Sequence, residues 1–195
     1  MIKPNSTIYL ASSSPQRVAL LKQIGIIFEQ VNVDVPEVLG ANEACDDYIC
    51  RLAVDKAQAA MVGRVDSDAV FIGADTVILI KGQILEKPTD ELDARNMLLQ
   101  LSGKTHNVKT AVAVCNNKNC EVIVQSNQVV MGKIDNHDIT AYWQTGEPHN
   151  KAGAYGIQGI GAQFITHIEG SYSGIMGLPI YETVQLLKHF GVKCL

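Results

Sequence analysis

Residues 70–88 read VFIGADTVILIKGQILEKP and contain two short apolar runs that are rich in β-branched residues. Val70–Ile72 and Val77–Ile80 each predict a buried strand, with Gly-Ala-Asp-Thr between them. Lys81-Gly82 has the composition of a hairpin turn, after which Ile84-Leu85 would return as a further strand. The segment therefore predicts a central part of a β-sheet.

Asp75 lies inside this apolar segment. A buried carboxylate without a partner is costly, so Asp75 must be paired, bound to a metal ion or solvated in a cleft. One interpretation is that Asp75 only caps the local backbone beside Gly73. The other is that it marks a functional site, in which case further polar residues must converge on it.

The composition is that of a globular protein with ample length for a hydrophobic core. The chain has 195 residues, 47% of them hydrophobic and 18% charged, and a net charge of −4. It has no basic tail or Lys/Arg cluster, which argues against nucleic-acid binding. Its apolar runs are too short to span a membrane, and the opening MIKPNSTIYLASSS lacks the apolar core of a signal peptide. We therefore expect a cytoplasmic protein with one domain over residues 1–195, either a single body or two lobes without a readable boundary.

The five cysteines form no CxxC pair and no zinc-type spacing, which fits reduced thiols. Cys115 and Cys120 flank a turn and could face each other across a hairpin. We expect them to be ordinary residues at strand ends.

The first strand, Thr7–Ala11, is followed at once by a serine-rich turn and a helix. Ser14 is a good N-cap, Pro15 a good first helical residue and Gly25 a stop. Free backbone N–H groups at the start of this helix would attract an anion. Arg17 in the first turn opposes the helix dipole, so it either serves that anion or is simply solvated.

Two further elements carry candidate functional residues. Ile26–Val35 predicts a second strand, with Phe28 and Val31 in the core, and Glu37 follows its end. Asp46–Met61 predicts a helix in which Lys56 falls on the apolar stripe. A lysine there either snorkels to solvent or points into a cleft. The other stripe members are Ile49, Leu52, Ala53 and Ala60.

The rest of the chain adds helices and hairpin strands, which together predict a mixed α/β protein with one twisted sheet. The Gly-rich segment 146–161 could let the backbone approach a ligand closely, whereas His106 is expected to be structural. The predicted elements are a helix from Thr89-Asp90 to Leu101, strands His106–Cys115 and Cys120–Met131, a helix over Asp135–Thr145, a strand over Phe164–Ile168 and a helix over Ile180–Phe190.

The polar residues at turns and strand ends suit a polyphosphate bound together with a divalent metal ion. Cations would bind the phosphates, and carboxylates would hold Mg²⁺ and orient a water molecule. No Walker motif and no GxGxxG motif is present. The set is Ser12, Ser14, Arg17, Glu37, Lys56, Asp75, Lys87, Lys151 and Gln158.

Several motifs, in order over nearly the whole chain, resemble the Maf family of nucleoside triphosphate pyrophosphatases. They are LASSSPQR, LAVDKA, FIGADTV, ILEKPTD, MLLQLSGKTHNVKT, KAGAYGIQG and EGSYSGIMGLPIYET. The resemblance implies an elongated α/β fold similar to inosine triphosphate pyrophosphatases, with a cleft between two lobes. It also implies metal-dependent hydrolysis of a nucleoside triphosphate to the monophosphate and pyrophosphate, and a possible homodimer.

The resemblance also implies roles for individual residues. Asp75 matches the catalytic carboxylate, and Glu37 with Asp75 matches the site of Mg²⁺ or Mn²⁺. Thr76 and Gln158 match the branch that prefers dTTP and UTP. The phosphate-binding positions are matched by Ser12, Ser14, Arg17, Lys56 and Lys87.

Gln16 departs from the family pattern, which usually has SPRR where this chain has SPQR. Glutamine forms hydrogen bonds but neutralises no charge, so the departure bears on nucleotide preference more than on the reaction. The leading hypothesis is a dTTP/UTP pyrophosphatase that could also accept modified pyrimidine nucleotides. Its alternatives are a nucleotide-binding regulator of cell division and septum formation with little turnover, and a general phosphatase that releases orthophosphate.

Overall fold

A computed structural model describes residues 6–64, 66 and 68–194, which form a mixed α/β fold. The first residues of MIKPNSTIYLASSS lie outside them. The strands of the described residues form one sheet: β1 (Ile8–Ala11), β2 (Glu29–Val31), β3 (Val70–Ile80), β4 (Gln83–Leu85), β5 (Thr105–Cys115), β6 (Cys120–Met131) and β7 (Ile165–Glu169). Its helices are α1 (Pro15–Gln23), α2 (Cys45–Met61), α3 (Glu91–Leu101), α4 (Asn136–Gln144), α5 (Tyr172–Ile175) and α6 (Ile180–His189). The predicted fold class is confirmed.

The sheet is mixed, with the strand order β2-β1-β3-β5-β6-β7 and with β4 paired to β3. β1 runs parallel to β2 and β3, while β4 is antiparallel to β3 and β7 to β6. The parallel pairs are joined through α1 and α2, as parallel strands require long crossovers. Lys81 and Gly82 have φ values of 49° and 81°, so the hairpin predicted there is confirmed.

β3 is one strand of 11 residues, so the prediction of two separate strands is wrong. Small and polar residues interrupt the apolar pattern, but the backbone continues through them. Gly73 is needed because an added Cβ would collide with the carbonyl oxygen of Ala53 and lie 2.7 Å from the backbone nitrogen of Ala57, both in α2. Asp75 stays in the strand because its charge is paired.

β2 covers three residues of the predicted strand Ile26–Val35. Phe28 and Val31, expected in the core, are only partly buried. β2 is at the edge of the sheet and has only β1 as its neighbour. The chain after Val31 then runs as an irregular segment to residue 44, so less apolar surface is removed from water there.

α1 and α3 begin at the predicted capping residues. The Ser14 hydroxyl accepts from the Arg17 N–H, with Pro15 as the first residue of α1. Asp90 caps α3 and Asp135 caps α4, each by accepting a backbone N–H three residues later. No described helix is long and apolar enough to span a membrane.

The chain divides into two compact units. Unit 1 comprises Met1–Asp75, Thr110–Gln125 and Gly177–Leu195. Unit 2 comprises Thr76–Lys109 and Ser126–Met176. The core of unit 2 includes Leu98, Leu101, Val129, Met131, Ile139, Tyr142 and Tyr155.

Cys115 and Cys120 are joined by a disulfide, with their Cα atoms 4.0 Å apart. The prediction of ordinary strand-end cysteines is therefore wrong for this pair. The turn between them closes with a hydrogen bond from the Asn116 N–H to the Asn119 carbonyl oxygen, which brings the two strand ends together.

Candidate active site

Unit 1 contains a buried lysine held between two carboxylates. Lys56 Nζ lies 2.6 Å from Asp75 Oδ1 and 2.6 Å from Glu37 Oε1. Lys56 and Asp75 are 9% and 8% exposed, whereas the Glu37 side chain is 41% exposed. The lysine therefore does not snorkel to solvent, and the Asp75 carboxylate bonds a cation rather than only the local backbone.

The packing of α2 against β3 places Lys56 and Asp75 together. Lys56 follows Leu52 by one helical turn on the buried stripe, as the sequence predicted. Close approach at Gly73 brings the helix against the strand two residues before Asp75. Alternate residues of a strand share a face, so Asp75 points to the same side of the sheet as Gly73.

Glu37 lies on an irregular segment that is fixed by an ion pair. The Arg51 guanidinium in α2 donates to both oxygens of Glu43, at 2.7 and 2.8 Å, and to the Val38 carbonyl oxygen at 3.0 Å. The Gly40 N–H donates to Glu43 Oε2 at 2.8 Å. These bonds hold the backbone next to Glu37, and sequence reasoning missed them because they link α2 to residues outside regular structure.

The turn after β1 forms a polar group around Arg17. Arg17 Nε donates to the Gly177 carbonyl oxygen at 2.8 Å, and Nη1 donates to Ser12 Oγ at 3.3 Å. Ser12 Oγ also accepts the Ser14 N–H at 3.2 Å. The Ser14 hydroxyl donates to Gln16 Oε1 at 3.2 Å, so Gln16 lies in the same turn. The predicted turn residues thus bond one another at the start of α1.

The charge of Arg17 in this turn interacts with the charges of the Asp75 and Glu37 carboxylates. Burial lowers the pKa of the Arg17 guanidinium, and the charges of Asp75 and Glu37 act against that shift. Arg17 stays charged because the ordinary pKa of arginine is far above neutrality. Unit 1 therefore combines two cations, two carboxylates, hydroxyls and a helix N-terminus in one region.

The Glu37 and Asp75 carboxylates fit a divalent metal ion. Their oxygens both approach one ammonium nitrogen, so they converge on a single position of positive charge. Carboxylate oxygens are the ligands that Mg²⁺ and Mn²⁺ favour. Elsewhere in the described residues, Asp135, His137 and Asp138 could converge on a cation, but they are exposed at the start of α4.

The remaining predicted site residues belong to unit 2. Thr76 follows Asp75 in β3 and is partly buried, and Lys87 is exposed after β4. Gln158 is exposed in a turn of the Gly-rich segment. The Gly153 N–H donates to the Glu86 carbonyl oxygen at 2.9 Å, which ties this segment to the residue before Lys87.

Contacts within unit 2 require glycines in the Gly-rich segment, so the glycines do not serve only to let the backbone approach a ligand. Added Cβ atoms at Gly156 and Gly161 would lie 2.7 Å from Lys151 Cε and 2.5 Å from the Tyr142 hydroxyl oxygen, and one at Gly159 would collide with Glu147. Sequence reasoning missed Glu147, although an acidic residue just before several glycines was a usable signal.

Glu147 accepts hydrogen bonds on both carboxylate oxygens. Oε1 accepts the Tyr142 hydroxyl at 2.7 Å and the Gly161 N–H at 3.0 Å, and Oε2 accepts the Ile160 N–H at 2.7 Å. Burial acts to raise the pKa of Glu147, but these bonds outweigh it and lower the pKa. Burial, followed by the bond to Glu147, raises the pKa of Tyr142, so its hydroxyl keeps its proton.

Comparisons with known proteins match nearly the whole chain to related sequences. The family model described as Maf-like protein matches residues 7–190. A Pseudoalteromonas atlantica protein named dTTP/UTP pyrophosphatase is 46% identical over 187 residues, which cover 95% of this chain and 97% of that protein. A protein of the same name from Pseudoalteromonas translucida is 48% identical over 185 residues, which cover 95% of this chain and 97% of that protein. Another from Methylobacillus flagellatus is 45% identical over 185 residues, which cover 95% of this chain and 93% of that protein.

Proposed function

Because the chain belongs to the Maf-like protein family, we propose that it is a nucleoside triphosphate pyrophosphatase that hydrolyses dTTP and UTP. The structural observation that carries the proposal is the buried Lys56 between Asp75 and Glu37. A charged triad is costly to bury, and its proximity to the charge of Arg17 and the serine turn suits a triphosphate substrate. The products are the nucleoside monophosphate and pyrophosphate.

The site residues of unit 1 have separate roles in the proposed reaction. Glu37 and Asp75 would hold Mg²⁺ or Mn²⁺, which when bound neutralises phosphate charge. Asp75 accepts the proton of the water that attacks the α-phosphorus, and the bond to the β-phosphate oxygen breaks. Arg17, Lys56 and the serine turn bind the phosphates and stabilise the leaving pyrophosphate, together with Lys87.

Base selection is proposed for Thr76 and Gln158. A glutamine amide both donates and accepts, so it can bond the donor and acceptor pattern of a pyrimidine edge. Gln16, bonded to Ser14, lies at the phosphate turn and adjusts affinity without adding charge. On the ground of family membership we extend the proposal to a cytoplasmic homodimer that could also act on modified pyrimidine nucleotides.

The test is a panel of nucleoside triphosphates with Mg²⁺ in which pyrophosphate and orthophosphate are measured separately. We expect pyrophosphate release, fastest with dTTP and UTP. Asp75→Asn, nearly isosteric but unable to accept a proton, should lower kcat about 10²- to 10⁴-fold. Asp47→Asn, an exposed change in the first turn of α2, is the matched control and should keep full activity.

Three outcomes would contradict the proposal. Orthophosphate as the product would indicate a general phosphatase. Tight nucleotide binding without pyrophosphate release would favour the regulator of cell division. A folded Asp75→Asn protein with kcat within about threefold of the unmodified protein would remove Asp75 from the chemistry.

A further inference from the structure

The Gln158 loop, residues 156–161, is bound to the Glu147–Tyr142 pair on both sides of Gln158. Before Gln158, the Gly156 N–H donates to the Tyr142 hydroxyl oxygen at 3.2 Å. After it, the N–H groups of Ile160 and Gly161 donate to Glu147 at 2.7 and 3.0 Å. The Tyr142 hydroxyl in turn donates to Glu147 at 2.7 Å. The backbone flanking Gln158 is therefore fixed while its side chain stays exposed.

The groups that face the carboxylate of Glu147 in these bonds are all donors. Two are backbone N–H groups, and the third is a hydroxyl whose oxygen already accepts from Gly156. An ionised carboxylate accepts only and satisfies all three. A glutamine at this position would direct an NH₂ group toward at least one donor. The arrangement therefore requires a carboxylate and not merely a polar side chain of this length.

The glycines of the Gln158 loop fit the same pair. Gly159 leaves the space that Glu147 Oε2 occupies, and Gly161 leaves the space of the Tyr142 hydroxyl. Tyr142 is itself buried against Phe164, with ring centroids 5.3 Å apart. A rigid anchor thus extends from the core of unit 2 through Tyr142 and Glu147 to the loop.

We propose that Glu147, supported by Tyr142, is a positioning residue for nucleotide-base discrimination and acts through Gln158. This inference rests on the proposed function, in which Gln158 contacts the base. Glu147 touches no substrate in this assignment. It fixes the loop backbone so that the Gln158 amide is positioned to contact the base. The loop then does not have to become ordered when a pyrimidine nucleotide binds.

The decisive experiment compares UTP with GTP in Glu147→Gln. We expect kcat/KM for UTP to fall roughly 10-fold, mostly through KM, because about one hydrogen bond is lost. The value for GTP, which does not depend on Gln158, should stay within about twofold. Glu91→Gln, an exposed change at the start of α3, is the matched control and should change neither value.

A double-mutant comparison separates positioning from general stability. In a Gln158→Ala background, Glu147→Gln should leave the UTP/GTP ratio unchanged because the group that it positions is gone. An equal fall for UTP and GTP, or a full further loss of discrimination in the Gln158→Ala background, would overturn the proposal. If Glu147→Gln does not fold, Tyr142→Phe provides the test, since it removes the hydroxyl but keeps the buried ring. A folded Tyr142→Phe protein with an unchanged UTP/GTP ratio would then overturn it.

Binding measurements distinguish this proposal from the proposed function. Calorimetric Kd values for the α,β-methylene analogues of UTP and GTP require no turnover. If the unmodified protein discriminates between the analogues but releases no pyrophosphate, the proposed function fails, and the positioning role is still tested by Glu147→Gln. If the unmodified protein releases pyrophosphate from UTP and GTP without discriminating between them, the pyrophosphatase activity is supported and the positioning role of Glu147 is contradicted.

Discussion

Lys56 pairs with both carboxylates of the candidate site. Lys56 is 9% exposed, and its ammonium nitrogen lies 2.6 Å from an oxygen of each of two carboxylates. Removal of either carboxylate would leave a less compensated buried charge, which is costly. A metal ion that takes both carboxylates would have to share them with Lys56, so substrate phosphate is the natural new partner for the ammonium. In the proposed function, the lysine would therefore exchange the carboxylates for phosphate without being left unpaired.

His106 gives the protein a predicted acid sensitivity. The ring is 2% exposed, and Nε2 lies 2.7 Å from the Tyr155 hydroxyl oxygen. Burial lowers the pKa of His106 from 6.5 to about 4. Between about pH 6.5 and pH 4, His106 is therefore protonated in the unfolded chain but neutral in the folded chain. The free energy of unfolding falls as the pH decreases through this window, because protonation stabilises the unfolded chain.

We expect the protonation of His106 in the unfolded chain to lower the free energy of unfolding by about 1.5 kcal/mol between pH 6.5 and pH 5. Urea unfolding at the two pH values measures it. In His106→Gln, which can still bond Tyr155, this part of the pH dependence should be absent. His137→Gln is the control, because the His137 side chain is 91% exposed. An unchanged pH dependence in His106→Gln would show that the buried ring is not responsible.

At the scale of elements, the sequence predicted the helices better than the strands. Capping residues and a 3.6-residue period are local signals, and they located α1, α2 and α3 to within a residue or two. β3 was divided in two because the contact of Gly73 with α2 and the pairing of Asp75 with Lys56 are tertiary features. Lys56 and Asp75 were singled out from local pattern, but Glu147 and the Arg51–Glu43 ion pair were not.

Gly73→Ala tests the contact between α2 and β3. An added Cβ would collide with the backbone of α2, which cannot yield as a flexible side chain can. We expect a loss of about 3 kcal/mol or more in unfolding free energy, together with a large fall in kcat, because Lys56 would be displaced from Asp75. Gly132→Ala is the control, since its nearest neighbour would be a Thr166 methyl group at 3.4 Å. Similar melting temperatures for the two variants would contradict this account.

At the scale of the molecule, the chain leaves unit 1 at Asp75, returns at Thr110–Gln125 and returns again at Gly177. No composition change or linker marks these crossings, which is why no unit boundary could be read from the sequence. The last return contributes α6, with Thr183, Leu186 and Leu187 almost fully buried. It also supplies the Gly177 carbonyl oxygen that accepts from Arg17.

In a chain that ends at Met176, unit 1 should therefore fail to fold, although the site residues are all still present. These are Ser12, Arg17, Glu37, Lys56 and Asp75. Removal of α6 exposes two leucines and their partners at about 1.5–3 kcal/mol each, which approaches the stability of a typical domain. We expect no pyrophosphate release and a reduced cooperative transition on heating. A chain that ends at Val192 keeps α6 whole and is the control. Activity in the shorter chain would show that unit 1 does not need its last segment.

The division of unit 1 into three chain segments also matters during protein synthesis. The ribosome releases the chain from its N-terminus at about 5–20 residues per second, so roughly 5 to 20 s separate the emergence of Asp75 from that of Gly177. Throughout that interval the nascent polypeptide carries the acidic and basic groups of the site without the helix that completes their surroundings. Catalytic competence must then arise after α6 has emerged, and we expect the incomplete N-terminal segments to bind chaperones until then.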